Sequence, residues 1–587
     1  LHRKHLFFVS LVGLFAVILL LLDLRFRGLA WHFFWSQTGE ETPIAQIRGM
    51  IELGGNVLRT QPDTQPITPI QHTADMPFGV NTFLQKEVEE PKLRAMLQMI
   101  QDAGFVWLRQ EFPWEDLEVD GRGQFTDSRN DYNGDGQPDT IDSWLKYDRI
   151  VDLTEAYGLK LMVRLSNPPD WSRANNPETL AGNYAPPDDF QDFVHYATAI
   201  AARYKGRITH YQVWNEPNIY PEWGEQFADP VAYTDMLCRT YKALKAIDEN
   251  IVVISGALAP TISLDGYQGY QDLVYLQNMY DNGAAACFDV LAAQGYGLFS
   301  GPTDRRMRLT SVNVARHVYY RDLMVANGDA HKPIWLSEVA WNPVLDADLS
   351  PEQIADYNRF GTVTEDQAAR YLPLLYQRAA EEWAWIGNMS YWFFTRPDPS
   401  ESNQSFFYFR MVEPDYQPEK PTFTPLPVYT AAQDYIAQMQ ANPVLYAGVH
   451  QSESWEITAS HDTDMITLSD AEFETVLQTK NLVFTAYGTH IGLRWHTVPD
   501  DVQVRVNGVP VNINITENAW QTTWLAERFI AEKHTIEIQA AADFVADSII
   551  VLDNTRRHVL PLVSAGVAIF LFGVLVLGTA LKKRLQQ

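Results

Sequence analysis

The chain is 587 residues long, too long for one ordinary core, and its 46% hydrophobic and 12% aromatic content excludes a disordered scaffold. A formal net charge of −28 and a pI near 4.8 argue against a nucleic-acid partner, because phosphate recognition needs a basic surface. Cys238 and Cys287 are the only cysteines, so no disulfide framework holds the fold, and two buried free thiols are expected in preference to one bridge.

Leu6 to Leu22 is apolar except for Ser10, with Arg3, Lys4 and His5 before it and Asp23, Arg25 and Arg27 after it. The bulky, basic stretch that follows offers no small-residue cleavage site, so residues 6–24 read as an uncleaved transmembrane anchor. Residues 31–75 read as a linker holding the rest off the membrane. They end in a Pro/Thr/Gln-rich run, Thr60 to Pro69, which cannot build a core.

From residue 76 to 440 the pattern becomes short apolar strands separated by amphipathic helices. The predicted strands are 78–82, 105–109, 159–165, 208–214, 251–255, 288–294, 333–337 and 388–394. Eight such alternations predict an α/β fold of the (β/α)8 TIM barrel class. Between the second strand and its helix, Asp131, Asn133, Asp135, Gln137, Asp139 and Asp142 stand at loop positions 1, 3, 5, 7, 9 and 12, with Gly136 at position 6. That spacing wraps oxygen ligands around calcium and predicts a structural Ca2+ that stiffens the loop, with no cofactor in catalysis.

Residues 446–554 alternate apolar and polar side chains in short runs, which predicts a C-terminal β-sandwich of jelly-roll type. Bracing the barrel is its expected role, with Trp520 and Trp524 as the candidates should it bind sugar. Val559 to Leu581 is an uncharged apolar segment followed by Lys582, Lys583 and Arg584, and reads as a second transmembrane helix. The basic clusters at both tips place them in the cytoplasm, leaving the bulk of the chain extracytoplasmic at the cell membrane.

Two carboxylates carry the chemistry. Glu216, in Trp214-Asn215-Glu216-Pro217-Asn218, follows the fourth predicted strand, and Glu338 ends the seventh. Opposed acids at the ends of two barrel strands suit cleavage of a sugar bond, where one must be protonated and the other ionised. Each also has a structural explanation, since a strand-end glutamate can cap the next helix. Trp114, Trp171 and Trp341 follow strands 2, 3 and 7 on the same barrel face, where exposed rings would stack on sugars.

With these residues the chain resembles the retaining glycoside hydrolases of clan A over residues 76–440, and the Trp-Asn-Glu-Pro-Asn run looks most like family 39. The resemblance implies Glu216 as acid/base, Glu338 as nucleophile and Asn215 as a sugar ligand. Arg109 ends strand 2, Tyr296 stands where a tyrosine bonds the nucleophile, and Trp392 where an aromatic floors the sugar subsite. It implies hydrolysis, by double displacement, of β-linked extracytoplasmic polysaccharide or oligosaccharide. The alternatives are a non-catalytic polysaccharide-binding or envelope scaffold and a transglycosidase using the same two acids.

Overall fold

A computed structural model describes residues 2–555 except 57, 132–133, 176–181, 357–359, 397–398, 416, 418–419 and 515–518; for residues 2–13, 355, 356 and 399 it describes the backbone alone. Two compact units emerge. One comprises residues 1–65, 76–379 and 385–438, the other 66–75, 380–384 and 439–587.

The first unit holds eight parallel strands: β1 (Phe78–Thr82), β2 (Trp107–Pro113), β3 (Lys160–Ser166), β4 (His210–Val213), β5 (Val252–Ile254), β6 (Leu291–Gln294), β7 (Ile334–Val339) and β8 (Ile386–Tyr391). They hydrogen-bond in the order β5-β4-β3-β2-β1-β8-β7-β6, and parallel bridges Ile254 to Val290 and Leu258 to Ala293 join the two ends. The result is a nearly closed barrel, with each predicted strand in its place. Helices such as Glu90–Asp102, Phe190–Arg203 and Pro230–Ile247 alternate with the strands, their apolar residues recurring at helical spacing toward them. Asp189 and Asp229 cap two of these helices, accepting from the backbone N–H of Gln191 and Val231.

Side chains alternate along each strand, so one set fills the interior in layers. The layer at the start of the strands is apolar: Trp107, Met162, Val252, Ala292 and Trp335 cluster there, with the His210 ring stacked on Trp335 at 5.2 Å. Gly79 leaves room for this layer, since a Cβ there would stand 2.5 Å from Ser390 Oγ and 3.2 Å from Trp107 Cβ. Further along, the interior turns polar, with buried Asn81, Arg109, Gln212, Ser337 and Glu338. Buried polar groups require partners, and that requirement shapes the site.

Residues 31–65 overturn the expected linker. After the helix His2–Arg25 come two more, Leu29–Thr38 and Pro43–Asn56, packed on the barrel unit. Thr303 Oγ1 donates to the Trp35 carbonyl (2.6 Å), Arg306 pairs with Glu40 (2.7 Å), and Tyr371 donates to Glu41 (2.8 Å). The Pro-rich run is likewise tied down, Arg321 Nε donating to the Thr64 carbonyl (2.9 Å). Proline and glutamine preclude a core of their own, but they leave backbone carbonyls free to accept from a neighbour.

The two cysteines are also corrected: Cys238 and Cys287 form a disulfide, with a Cα–Cα distance of 4.7 Å. It ties helix Pro230–Ile247 to the turn before β6, a proximity that a separation of 49 residues conceals. Among the described residues no helix is long and apolar enough to cross a membrane. The predicted anchor at 6–24 falls partly on residues described by backbone alone, and 559–581 lies outside the described residues.

The second unit is an antiparallel sheet of seven strands, including two long ones, Thr475–His496 and Gln521–Leu552. The expected alternation is present in an antiparallel sheet. Bulges let residues 521–527 pair along one edge of 490–496 and 545–552 along the other, so the strands belong to one hydrogen-bonded sheet. Phe484, Leu493, Trp495, Ile536 and Phe544 lie in its core. Trp524 is partly exposed, whereas Trp520 lies against His496 and the Arg494 guanidinium.

Candidate active site

Arg109 organises the polar end of the barrel. Its Nε donates to Gln212 (2.7 Å), Nη1 to Asn81 (2.8 Å) and to Glu338 Oε1 (2.7 Å), and Nη2 to Asn215 Oδ1 (2.6 Å). One buried guanidinium therefore ties β1, β2, β4 and β7 together. The planar fork of arginine matches four acceptors in this way, where a lysine could not. Glu338 receives its second hydrogen bond from Tyr296, whose hydroxyl donates to Oε2 at 2.5 Å.

Strict alternation would turn Glu338 away from the interior, because Trp335 and Ser337 already face it. Register irregularities, between Leu336 and Glu338 against β6 and between Leu336 and Val339 against β8, bring Glu338 inside. At the end of β4 a second irregularity re-aims the chain. Trp214 adopts φ +77°, uncommon for a residue with a side chain, and its indole Nε1 donates to the Glu222 carbonyl (2.6 Å). Asn215 and Glu216 are thereby delivered to the same cleft.

The cleft has a volume of about 700 Å³ and is lined by Glu216, Glu338, Asn215, Tyr296 and Trp392. Burial pushes the Glu216 carboxyl well above the usual carboxylate range, and the charges of Glu338 and Glu222 push it further. Two carboxyls with differentiated environments thus share one cavity. Tyr296 is raised in the same way, by burial and then by Glu338, which keeps its phenol a donor.

Sequence reasoning missed several lining residues. Glu222 follows the Pro217–Pro221 turn, and burial raises it to about 7 against the opposing pull of Arg164 and Asn215. Glu111 stands two residues beyond Arg109, on the same face of β2, and forms an ion pair with Arg164. The period of two could have revealed it. Phe83, Tyr184, Phe406 and Phe409 supply aromatic walls from loops without a periodic signal.

Three aromatic candidates prove to be packing residues. Trp114 is fully buried, stacked on Tyr196 and donating to Glu118 (2.5 Å). Trp171 packs edge-on against it and donates to the Glu118 carbonyl (2.7 Å). Trp341 bonds the Ser300 carbonyl (2.8 Å), its ring lying where a Cβ on Gly297 would stand, 2.0 Å away. None of the three lines the cleft. Each satisfies its indole N–H on a protein oxygen, Trp171 remaining half-buried. Trp392 does line it, one residue past the end of β8 and edge-on to Phe83 at 5.5 Å.

The predicted calcium loop is only partly among the described residues. The Asp131 carboxylate accepts from the backbone N–H of Gly134 (2.6 Å) and Gly136 (2.7 Å), Asp135 accepts from Gln137 N (2.9 Å), and Asp142 accepts from Trp144 N at the next helix start (2.9 Å). Among the described residues no group of three His, Cys, Asp or Glu side chains could hold a metal ion, and Asn133 lies outside them. The carboxylates of Asp131, Asp135 and Asp142 thus accept from backbone N–H groups of the loop and of the next helix start, while Gln137 and Asp139 complete the expected set in the sequence.

Residues 69–282 match the sequence profile of Cellulase (glycosyl hydrolase family 5), a span that includes Glu216 and ends before Glu338. Among solved structures, a family 39 glycoside hydrolase from Bacteroides cellulosilyticus WH2 is 15% identical, covering 80% of this chain and 82% of its own, with a TM-score of 0.45. A family 39 β-xylosidase from Caulobacter crescentus is 16% identical over 82% of this chain and 97% of its own, with a TM-score of 0.40. An exo-β-1,4-mannosidase from Opitutaceae bacterium strain TAV5 is 15% identical over 66% and 64%, with a TM-score of 0.42. Comparison with curated protein sequences gives no match.

Proposed function

We propose that this chain is a retaining glycoside hydrolase of clan A that cleaves β-linked polysaccharide outside the cytoplasm while held at a membrane. The observation carrying this reading is the unequal treatment of two carboxyls in one cleft. Glu338 accepts from Arg109 and Tyr296, while burial and neighbouring charge favour the protonated form of Glu216.

In this reading Glu338 attacks the anomeric carbon as Glu216 protonates the departing oxygen. The glycosyl–Glu338 ester is then opened by water that Glu216 deprotonates, returning both groups to their starting states. Asn215, fixed by Arg109, is placed to bond a ring hydroxyl, and Trp392 offers a face for stacking. The apolar run Leu6 to Leu22, the tail 559–581 and the disulfide support an extracytoplasmic, membrane-held location.

The test is hydrolysis of a panel of plant, fungal and bacterial polysaccharides by the full chain in detergent, counting new reducing ends. Glu338→Ala should abolish turnover, and Glu216→Ala should lower it about 10²–10⁴-fold on unactivated substrates. Azide supplied with an activated aryl β-glycoside separates the roles. It should displace the aryloxide directly in Glu338→Ala, giving the inverted azide, and displace Glu338 from the intermediate in Glu216→Ala, giving the retained one. Unchanged hydrolysis in either variant removes that residue from the mechanism. Chain-lengthened products at high substrate would favour transfer over hydrolysis.

A further inference from the structure

The helix Leu29–Thr38 is apolar on two opposite faces. Trp31, Trp35 and Thr38 share one covered side: Trp31 and Thr38 are buried against the segment that includes helix Pro43–Asn56, Trp31 donating to the Glu41 carbonyl (3.2 Å), and Trp35 stacks on Trp31 (6.3 Å) and meets Tyr371 of the barrel helices (6.4 Å). At 3.6 residues per turn, Leu29 and Phe33 lie about 180° away from them. Their exposures are 87% and 56%, and that of Phe26, just before the helix, is 77%. A helix with two apolar faces ordinarily has both covered. Here the next helix and Tyr371 cover one side and solvent meets the other.

The helix is also fixed to the one before it. Asp23 Oδ1 accepts from the Trp31 backbone N–H (3.1 Å), and the Asp23 carbonyl from Gly28 (2.8 Å). A Cβ on Gly28 would stand 2.2 Å from the Asp23 carboxylate, so glycine permits this tight corner. Helix His2–Arg25 exposes Phe15, Val17, Leu19 and Leu22 immediately upstream. Arg25 and Arg27 stand between the two apolar stretches, and Arg27 lies over the Trp31 ring at 4.9 Å. Exposed apolar surface therefore continues from one helix to the next across a basic corner.

From this continuity we infer that Phe26, Leu29 and Phe33 form a membrane-interfacial face, which seats the barrel on a lipid surface at a set orientation. The inference rests on the membrane-held reading and deepens it. The occupant is a bilayer, because the exposed row extends that of the apolar N-terminal helix past the basic residues Arg25 and Arg27. Leu29 and Phe33 would then sit roughly 5–10 Å below the headgroups.

The disulfide leaves no free thiol, so a cysteine introduced into the full chain is a unique labelling site. Phe33→Cys and Leu29→Cys, each carrying an environment-sensitive fluorophore, are mixed with phosphatidylcholine vesicles and floated. Leu145→Cys, at an exposed leucine on the barrel helix Trp144–Ala156, is the control. Labels at 29 and 33 should shift to the blue and resist a water-soluble quencher several-fold better than the label at 145. Flotation with all three labels in water overturns the interfacial face and leaves the membrane-held reading intact. Failure to float overturns both. Shielding that appears without vesicles, together with a doubled mass, assigns the face to a second copy of the chain and overturns the lipid occupant.

Discussion

At the scale of single residues, the site is governed by who neutralises whom. Glu338 is paired within the Arg109 network, Glu111 pairs with Arg164, and Glu216 has burial and two negative neighbours acting on it. Glu222 is one of those neighbours, and its charge raises Glu216. Glu222→Gln removes that charge, so Glu216 should release its proton at lower pH. A general acid works only while protonated, so the alkaline limb of the kcat/KM profile should move to lower pH. A limb that stays put or moves upward would refute the coupling. Much of this constellation is legible in the chain: strand ends carry Glu216 and Glu338 because carboxyl ends of barrel strands face one mouth, and the resemblance to clan A adds Arg109 and Asn215. Glu222 is not, since its place depends on the Trp214 turn and on a loop that returns over the cleft. Trp114, Trp171 and Trp341 misled because position after a strand says nothing of which way a ring turns.

At the scale of elements, local patterns foretold the strands and helices well, while contacts between distant segments stayed hidden. All eight barrel strands followed from apolar runs, but no run records that Arg306 reaches back to Glu40 and Glu52. Arg306→Ala should loosen the docked segment 31–65 and speed its limited proteolysis, with hydrolysis at the cleft unchanged. Equal proteolysis of variant and parent would show that the docking does not depend on this ion pair. The disulfide is a second such contact. Closing a loop of 49 residues restricts the unfolded chain, so Cys238→Ala with Cys287→Ala should cost up to about 4 kcal/mol of unfolding free energy. Denaturant titration of the pair against the parent measures it, and no change would mean that the bridge adds nothing to folding.

Over the whole molecule, burial lifts a set of carboxyls into the neutral range. Glu87, Glu115 and Glu222 in the barrel unit, and Glu453 and Glu456 in the sheet unit, are each raised from 4.5 to about 7, burial being the first cause in every case. A folded state whose acids hold protons more tightly than the unfolded chain loses stability as pH rises through that interval. Asp127 and Asp148 are lowered by hydrogen bonds from Arg129 and Arg203, and their contribution fades only below the usual aspartate range. The Tm should therefore be higher at about pH 5 than at about pH 8, and scanning calorimetry showing the reverse would refute this balance. The docked N-terminal segment has a different consequence. A flexible linker over residues 31–75 would let the cleft wander roughly 40 Å from its attachment, diluting it through a wide volume. With residues 31–65 bound within the barrel unit, the proposed membrane attachment through the first helix would keep the cleft within a thin shell. Its effective concentration is then high for glycan at one height above the surface and falls steeply at any other.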